Sequence, residues 1–322
     1  MNLAGTEPPN SESPVDSEIR TDDQHALYLL ACDHRRSFEG LLGIGGAPTD
    51  EDVRRMKDAK HLVWEGFERA VAGGAPTGRA GILIDTQYGE RVARDARRVG
   101  IPFAIPIEKS GQREFQFEHG DRFEEFVEDF APTYVKALVR YNPEGDAELN
   151  RRQRQRLEHL SRWLNGTPYG FLCELLVPPE PSQLEDADGD PTRYDTDLRP
   201  RLMRSAIEEL QEAGIEPDLW KIEGLDSRDD CHAIAETVLR DGRPSGCLVL
   251  GRGASLDRVD QWILAARGVP GYVGFAIGRS IFAEAVTDFA SGRLDSREIA
   301  QIEIARNFTR FVSLWADGRT KP

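Results

Sequence analysis

No basic patch stands out in the sequence, and its formal net charge at pH 7 is −15. Nucleic acids and anionic membranes bind proteins through positively charged patches, so neither is an expected partner of this chain. No apolar run is long enough to span a membrane, and no secretion signal is recognisable. The sequence therefore predicts a cytoplasmic protein, in which an anionic substrate must be held by a local positive site.

Cysteine and histidine are also scarce. The four cysteines, Cys32, Cys173, Cys231 and Cys247, form no CxxC motif. Cys32, Cys173 and Cys247 lie in strand-like runs, where a buried reduced thiol is usual. Of the six histidines, only His34 falls at the end of a strand-like run. A catalytic metal needs several His or acidic ligands at strand ends, so the sequence predicts neither a metal nor another cofactor.

What the sequence does contain is a regular alternation of short apolar runs and longer amphipathic stretches. Alternation of this kind is typical of a parallel sheet with crossover helices, and eight strands is the number found in a (β/α)8 barrel. A doubly wound sheet would need a Gly-rich fingerprint after its first strand, and the segment ACDHRRSFEG has none. The strand-like runs are residues 26–34, 80–89, 102–111, 133–142, 169–178, 218–225, 246–254 and 271–279.

The predicted organisation is a single α/β domain, a (β/α)8 TIM barrel over residues 25–316. Residues 1–24 are polar, acidic and proline-bearing, which indicates a disordered or loosely attached tail. Residues 317–322 are expected to form a short C-terminal tail. A homo-oligomer stays open, because no interface can be identified in the sequence.

Charged residues recur at the carboxyl ends of the predicted strands, where a barrel of this type places its active site. Side chains alternate along a strand, so Glu174, Lys221 and Lys109 point inward if the apolar residues two positions earlier do. For Lys109 that earlier residue is Ile107. A structural ion-pair network that closes the barrel is the alternative. The strand ends contribute Asp33, Asp85, Lys109, Lys136, Arg140, Glu174, Lys221, Glu223, Arg252 and Arg279.

Lysine is scarce, with six residues against 35 arginines, so a lysine inside an apolar strand is unusual. Lys221 lies between Trp220 and Ile222 in the segment PDLWKIEGL. An amine attacks a carbonyl only when it is unprotonated, and apolar surroundings and neighbouring cations, here Lys109 and Lys136, favour that form. A Schiff base formed by Lys221 would act as an electron sink and allow the adjacent C–C bond to break or form.

The proton transfers of such a reaction need a carboxyl group within hydrogen-bond reach of the amine. Glu174, on the adjacent predicted strand, is the best-placed candidate, and Asp33 and Glu223 are weaker ones. Asp85, Arg140 and Glu223 are further candidates for contacts with a substrate.

The segments LGRGAS and AIGRSIF follow the seventh and eighth strands, and each offers backbone amides, an arginine and a helix start. These loops are the usual phosphate site of the fold, and the arginine fork suits phosphate because it donates in a bidentate manner. The alternative is that the glycines only form turns. The predicted phosphate-binding residues are Gly251, Arg252, Gly253, Gly278 and Arg279.

In order along the chain, the segments ACDHRRSFEGLLG, ILIDTQYG, IEKSGQ, VRYNPEGD, ELLVPPE, WKIEGLD, LGRG and GFAIGRSIF resemble one family. It is the barrel of the DUF2090 type, the domain fused to 5-dehydro-2-deoxygluconokinase in bacterial myo-inositol catabolism. It is distantly similar to class I tagatose-bisphosphate aldolase. The resemblance runs from about His25 to Trp315.

The resemblance implies a class I, Schiff-base aldolase. By this resemblance Lys221 is the Schiff-base residue, Glu174 the acid/base group and Asp33 the aspartate of strand one. Lys109 and Lys136 are charge partners for substrate or intermediate, and Arg279 contacts phosphate. The sequence GRG after strand seven departs from the small-residue loop of tagatose-bisphosphate aldolases, so Arg252 would hold one end of the substrate differently.

The resemblance also implies a substrate, 2-deoxy-5-keto-gluconate 6-phosphate, cleaved to dihydroxyacetone phosphate and malonate semialdehyde. Two alternatives stay open at this stage. The first is the same chemistry on a ketose bisphosphate such as tagatose or fructose 1,6-bisphosphate. The second is a non-catalytic barrel that binds a sugar phosphate.

Overall fold

Eight parallel strands form a closed barrel in which each strand pairs with the next, and β1 pairs with β8. A computed structural model describes residues 26–318 of the chain. The (β/α)8 architecture predicted from the sequence is confirmed. The strands are β1 (Leu27–Cys32), β2 (Ala80–Ile84), β3 (Phe103–Pro106), β4 (Tyr134–Arg140), β5 (Gly170–Leu176), β6 (Leu219–Glu223), β7 (Gly246–Leu250) and β8 (Tyr272–Ile277).

Helices follow every strand and form the outer layer of the barrel. A π-helical segment, Tyr194–Leu198, joins the seventh helix to the eighth, and short 3-10 turns lie at Gly120–Arg122 and Arg240–Gly242. The α-helices are α1 (Arg36–Leu41), α2 (Asp50–Ala72), α3 (Thr86–Val99), α4 (Phe123–Phe130), α5 (Ala147–Leu164), α6 (Pro181–Asp186), α7 (Pro191–Arg193), α8 (Arg199–Glu212), α9 (Arg228–Val238), α10 (Leu256–Ala266), α11 (Arg279–Ala290) and α12 (Arg297–Asp317).

Several crossover helices begin at a residue whose side chain caps the first turn. Asp146, Ser227 and Ser255 each accept a hydrogen bond from a backbone N–H of α5, α9 and α10, respectively. These caps satisfy donors that the start of a helix leaves unpaired. They fix where the chain turns from the carboxyl end of a strand into a helix, which is the rim where the charged residues lie.

The apolar interior has two layers, because strand side chains alternate between the barrel axis and the helices. The larger layer lies between strands and helices and includes Ile107, Trp220 and Phe275. The smaller layer fills the barrel itself. Its members are Leu27, Leu29, Ala31, Leu83, Ala104, Leu172, Leu219, Leu248, Val273 and Ala276.

The last helix, α12, packs on the outside of the barrel against α2. Ile304 lies so close to Gly66 that a Cβ at that glycine would meet the Ile304 side chain at 2.6 Å. The predicted tail at 1–24 lies outside the described residues, and α12 ends at Asp317. Within residues 26–318, none of the helices has the length and apolar character needed to cross a membrane.

Candidate active site

Charged side chains from several strand ends converge at the mouth of the barrel. The Nζ of Lys136 lies 2.8 Å from carboxylate oxygens of Asp33, Glu108 and Glu174. The Nζ of Lys221 lies 3.0 Å from the same Glu174 oxygen, Oε2. All five side chains are buried. We call these five residues the lysine–carboxylate cluster.

The strand register explains why these residues meet. Glu174 on β5 is the register partner of Lys221 on β6 and of Leu138 on β4. Because paired residues of parallel strands face the same side, Glu174 and Lys221 both enter the barrel mouth. Lys136 lies two positions before Leu138, one layer deeper on the same face. The apolar inner residues below, such as Leu172 and Leu219, complete this alternation.

The charge states of the cluster follow from competition between burial and neighbouring ions. Burial acts to raise the pKa values of Asp33 and Glu174, but Lys136 and Lys221 outweigh it and lower both. Burial acts to lower the pKa of Lys136, yet Asp33, Glu108 and Glu174 raise it well above its ordinary value. At neutral pH the two carboxyl groups are therefore ionised and Lys136 is charged. Glu174 is then a proton acceptor in contact with the amine of Lys221.

His34 lies beside the cluster and is neutral at neutral pH. Burial lowers its pKa to about 4, and Lys221 and Arg279 act in the same direction against the charge of Asp33. Its Nδ1 is buried without a hydrogen-bond partner among the described residues. A neutral imidazole can both donate and accept a hydrogen bond, which suits contact with a substrate hydroxyl. The sequence marked His34 only as an isolated metal-ligand candidate.

A cavity of about 480 Å³ opens in front of Lys221 and Glu174. The loops that follow β7 and β8 also line this cavity. The predicted residues that line this cavity are Glu174, Lys221, Glu223, Arg140, Gly251, Arg252, Gly253, Gly278 and Arg279.

The two loop arginines have different environments. Arg252 is already ion-paired, with Nε 3.0 Å from Glu223 and NH1 2.6 Å from Asp195. Arg279, the first residue of α11, donates from NH2 to the Arg252 carbonyl at 3.0 Å. Its Nε is buried without a hydrogen-bond partner among residues 26–318. Arg279 is therefore the better placed of the two to bind an anion in the cavity.

The absence of a side chain at Gly253 leaves room for the Arg279 guanidinium. The backbone of Gly253 has φ +72°, and a Cβ there would lie 2.8 Å from the Arg279 guanidinium. Both facts favour glycine, because an L side chain is strained at this φ and its Cβ would shift the guanidinium. The predicted GRG loop is thus shaped around Arg279.

A second cavity, of about 390 Å³, adjoins the first and shares His34 and Glu174 with it. Carboxylates and cations both line this second cavity. The cations include Arg36 at the start of α1, Lys109 after β3, and Arg140 at the end of β4, which lines the first cavity as well. The lysine–carboxylate cluster therefore lies where the two cavities meet. The sequence analysis did not single out Arg36.

Lys109 does not point into the barrel as its predicted parity required. Ala104 of β3 belongs to the inner apolar layer, whereas Ile107 packs in the outer one. The inward position at the end of β3 is therefore taken by Glu108. Both faces of a barrel strand are apolar, so the apolar character of Ile107 does not indicate which face of β3 points to the barrel axis. Lys109 lies at the rim, where its Nζ is 3.5 Å from Gln116 Oε1.

Asp85 is not brought to either cavity, contrary to its predicted contact with substrate. Its carboxylate has 0% exposure, forms an ion pair with Lys60 of α2 and accepts a hydrogen bond from the Tyr88 backbone at 2.8 Å. The strand ends at Ile84, and Asp85 caps α3 instead of continuing the alternation. Lys60 also donates to the Cys32 carbonyl at 2.6 Å, which ties Asp85 to β1.

Sequence reasoning also missed Glu108 and Arg35. Glu108 accepts hydrogen bonds from Lys136 and from the Leu138 backbone. Arg35 donates to the Glu108 carbonyl and to Glu118. In the sequence Glu108 lies next to the predicted site residue Lys109, and Arg35 lies two residues after the predicted Asp33. Across residues 26–318, no group of three or more His, Cys, Asp or Glu side chains is arranged to hold a metal ion.

Solved structures with a similar fold include two aldolases. A Schiff-base-forming fructose-1,6-bisphosphate aldolase aligns with a TM-score of 0.55 at 12% identity, over 90% of this chain and 95% of that one. An archaeal fructose 1,6-bisphosphate aldolase aligns with a TM-score of 0.55 at 10% identity, over 90% and 94%. A Corynebacterium glutamicum protein aligns with a TM-score of 0.54 at 15% identity, over 89% and 86%. At these identities the similarity shows a common fold.

Sequence comparison places the chain in a family. No curated protein matches it in sequence. The profile of the family described as "Uncharacterized protein conserved in bacteria (DUF2090)" matches residues 16–319, which is most of the chain. The chain therefore belongs to the DUF2090 family.

Proposed function

We propose that this protein is a class I aldolase that forms a Schiff base at Lys221. The observation that carries the proposal is the contact between a buried amine and a buried carboxylate at a cavity mouth, with 3.0 Å between Lys221 Nζ and Glu174 Oε2. The proposal is supported by the shared fold of two aldolases, one of which is described as forming a Schiff base. Because the DUF2090 family is described as uncharacterized, membership in it does not indicate an activity.

In the proposed reaction Glu174 accepts a proton from Lys221, and the free amine attacks the ketone carbon of the substrate. Glu174 then returns a proton to the hydroxyl of the carbinolamine, which leaves as water and gives the protonated Schiff base. Lys136 stays charged throughout, and its charge keeps Asp33 ionised and favours the return of Glu174 to its ionised form after each proton transfer. Its role is to hold the carboxylates in position rather than to react.

The Schiff base then accepts the electron pair of the breaking C–C bond. A base removes the proton of the hydroxyl on the carbon that becomes the aldehyde, and the bond between that carbon and its neighbour breaks. The aldehyde leaves, the resulting enamine takes up a proton, and water hydrolyses the second product from Lys221. Asp33 and Glu174 are the carboxylates of the cluster available for proton removal, directly or through water.

The proposed substrate is 2-deoxy-5-keto-gluconate 6-phosphate. Lys221 attacks the C5 ketone, and cleavage between C3 and C4 gives dihydroxyacetone phosphate and malonate semialdehyde. Arg279 and the Gly251–Gly253 loop bind the phosphate across the first cavity. This choice rests on the sequence resemblance, and the inositol-catabolic role and the cytoplasmic location are proposals with it.

A ketose bisphosphate is the second candidate substrate. The observation in its favour is that Arg36, Lys109 and Arg140 line the second cavity, because a second phosphate would need positive charge there. Both candidates share the phosphorylated three-carbon half of the substrate and differ in the other half.

Product analysis tests the proposal. Wild type and Lys221→Ala are incubated with 2-deoxy-5-keto-gluconate 6-phosphate, fructose 1,6-bisphosphate and tagatose 1,6-bisphosphate, and dihydroxyacetone phosphate is measured. We expect release from the keto acid phosphate by wild type alone. If dihydroxyacetone phosphate is released only from a bisphosphate, the proposed substrate is wrong but the proposed chemistry stands. If it is released from none of the three compounds, the proposal is contradicted.

A further inference from the structure

Three of the cations that line the second cavity, Arg36, Lys109 and Arg140, lie at one loop, residues 109–112. Lys109 begins this loop. Arg140 donates from NH1 to the Gln112 carbonyl at 2.9 Å. The Arg36 side chain lies 3.4 Å from the position that a Cβ at Gly111 would take. Side chains from the ends of β1, β3 and β4 are thus gathered at one place on the barrel rim.

These three cations differ from the other cations at the barrel mouth. Lys136 pairs with three carboxylates, Arg252 with two and Arg35 with two. Within the part of the chain that the structure describes, no carboxylate forms an ion pair with Arg36, Lys109 or Arg140. The carboxylates that line the same cavity, Asp33, Glu108 and Glu174, are paired with Lys136, Lys221 or Arg35 instead. Like charges without a direct ion-pair partner repel one another, and a bound anion relieves that repulsion. In a chain of net charge −15 such a group is a local exception.

The position of the group relative to Lys221 is the third observation. In the closed barrel, β3 and β4 lie across from β7 and β8, whose loops carry Arg279. The lysine–carboxylate cluster lies between, at the junction of the two cavities. A substrate with its phosphate at Arg279 and its carbonyl at Lys221 would therefore extend its other half into the second cavity.

We propose that Arg36, Lys109 and Arg140 bind a second anionic group of the substrate, on the half that leaves as the aldehyde. This inference rests on the proposed function and specifies its substrate class: a phosphorylated ketose with an anion at each end, a carboxylate for the keto acid. Lys136 and Arg252 are saturated by protein carboxylates, so they do not serve this purpose. The site thereby selects acidic aldehyde products over uncharged ones.

Condensation, the reverse reaction, tests this inference because the aldehyde can be varied while dihydroxyacetone phosphate is kept constant. The aldehydes are malonate semialdehyde with a carboxylate, glyceraldehyde 3-phosphate with a phosphate, and glyceraldehyde with neither. The variants are Arg36→Gln, Lys109→Gln and Arg140→Gln. Arg113→Gln is the matched control, since Arg113 is exposed on the same connection and does not line the cavity.

We expect each variant to lower kcat/KM for an anionic aldehyde, relative to glyceraldehyde, by about 10- to 100-fold, the usual effect of one charged hydrogen bond. The control should leave this ratio as in wild type. The anionic aldehyde with the larger loss identifies carboxylate or phosphate as the group bound. An unchanged ratio for both anionic aldehydes in all three variants would overturn the inference.

Borohydride trapping of wild type with dihydroxyacetone phosphate separates failure of this inference from failure of the proposed function. Dihydroxyacetone phosphate has a single anionic group and lacks the aldehyde half of the substrate. Absence of a trapped adduct would contradict the aldolase proposal itself. An adduct together with unchanged aldehyde selectivity in the variants would overturn only the role of Arg36, Lys109 and Arg140.

Discussion

Lys221 and Lys136 are both buried lysines at the barrel mouth, and their neighbours give them different roles. Lys136 is enclosed by three carboxylates at 2.8 Å, so its charge is locked in place. Lys221 meets Glu174 and faces the open cavity. The sequence places both lysines in strands but does not tell them apart, because the number of carboxylates around each depends on which strands become neighbours.

Glu174→Gln tests the proton-transfer role at the residue scale. The amide keeps the size of the side chain but cannot take a proton from Lys221, so we expect kcat to fall by about 100- to 10,000-fold. KM should change much less, because the proposed phosphate contacts are made by other residues, Arg279 and the loop after β7. Steady-state kinetics with the cleaved ketose give both constants. The exposed Glu185→Gln is the control, and an unchanged kcat in Glu174→Gln would remove Glu174 from the mechanism.

The residues of the candidate site lie at the ends of strands and in the loops that follow them. The strand-like runs predicted all eight strands, because apolar runs of this length between helical stretches usually form buried strands. The ends were harder to predict. In the run 80–89 the strand stops at Ile84 because Asp85 caps α3, and in β3 the inner face is set by Ala104. Both depend on contacts with other elements that a local pattern does not contain.

Gly253→Ala tests the loop after β7. Alanine at φ +72° would cost about 1–2 kcal/mol of stability, and its Cβ would displace the Arg279 guanidinium, which lies 2.8 Å away. We expect a rise in KM for the phosphorylated substrate of about 10-fold or more, as for a lost charged hydrogen bond. Kinetics and urea unfolding are measured on the same preparation.

Gly242→Ala is the matched control for this loop. Gly242 has φ +75°, and no atom lies within 4 Å of the position its Cβ would take. This variant should lose similar stability and keep the KM of wild type. Equal KM values in the two variants would contradict the proposed role of Gly253.

At the scale of the whole molecule, the lysine–carboxylate cluster links stability to pH. The pKa values of Asp33 and Glu174 are lower in the folded protein than in the unfolded chain, where such groups titrate at about pH 4. Their ionised forms therefore stabilise the fold above about pH 4, and this stability is lost as the pH falls further. The fold itself was predictable from the order of elements. The cluster was predictable only in part, because Glu108 and Arg35 reach it through the packing of the closed barrel.

Lys136→Met should reverse the sign of this pH dependence. Without the ammonium, burial dominates and raises the pKa of the carboxyl groups, so protonation on acidification relieves their cost. We expect a loss of about 3–5 kcal/mol at pH 7 and a smaller loss at pH 5. Urea unfolding at both pH values measures it, with the exposed Lys57→Met as control. An equal loss at the two pH values would contradict this electrostatic account.

The central claim is that Lys221 forms a covalent bond with a ketose phosphate. Borohydride reduction with the cleaved substrate or dihydroxyacetone phosphate, followed by peptide mass spectrometry, measures this directly. The account predicts one adduct on the peptide that contains Lys221 and none in Lys221→Ala. Wild type without an adduct, or an adduct on a different lysine that persists in Lys221→Ala, would contradict it.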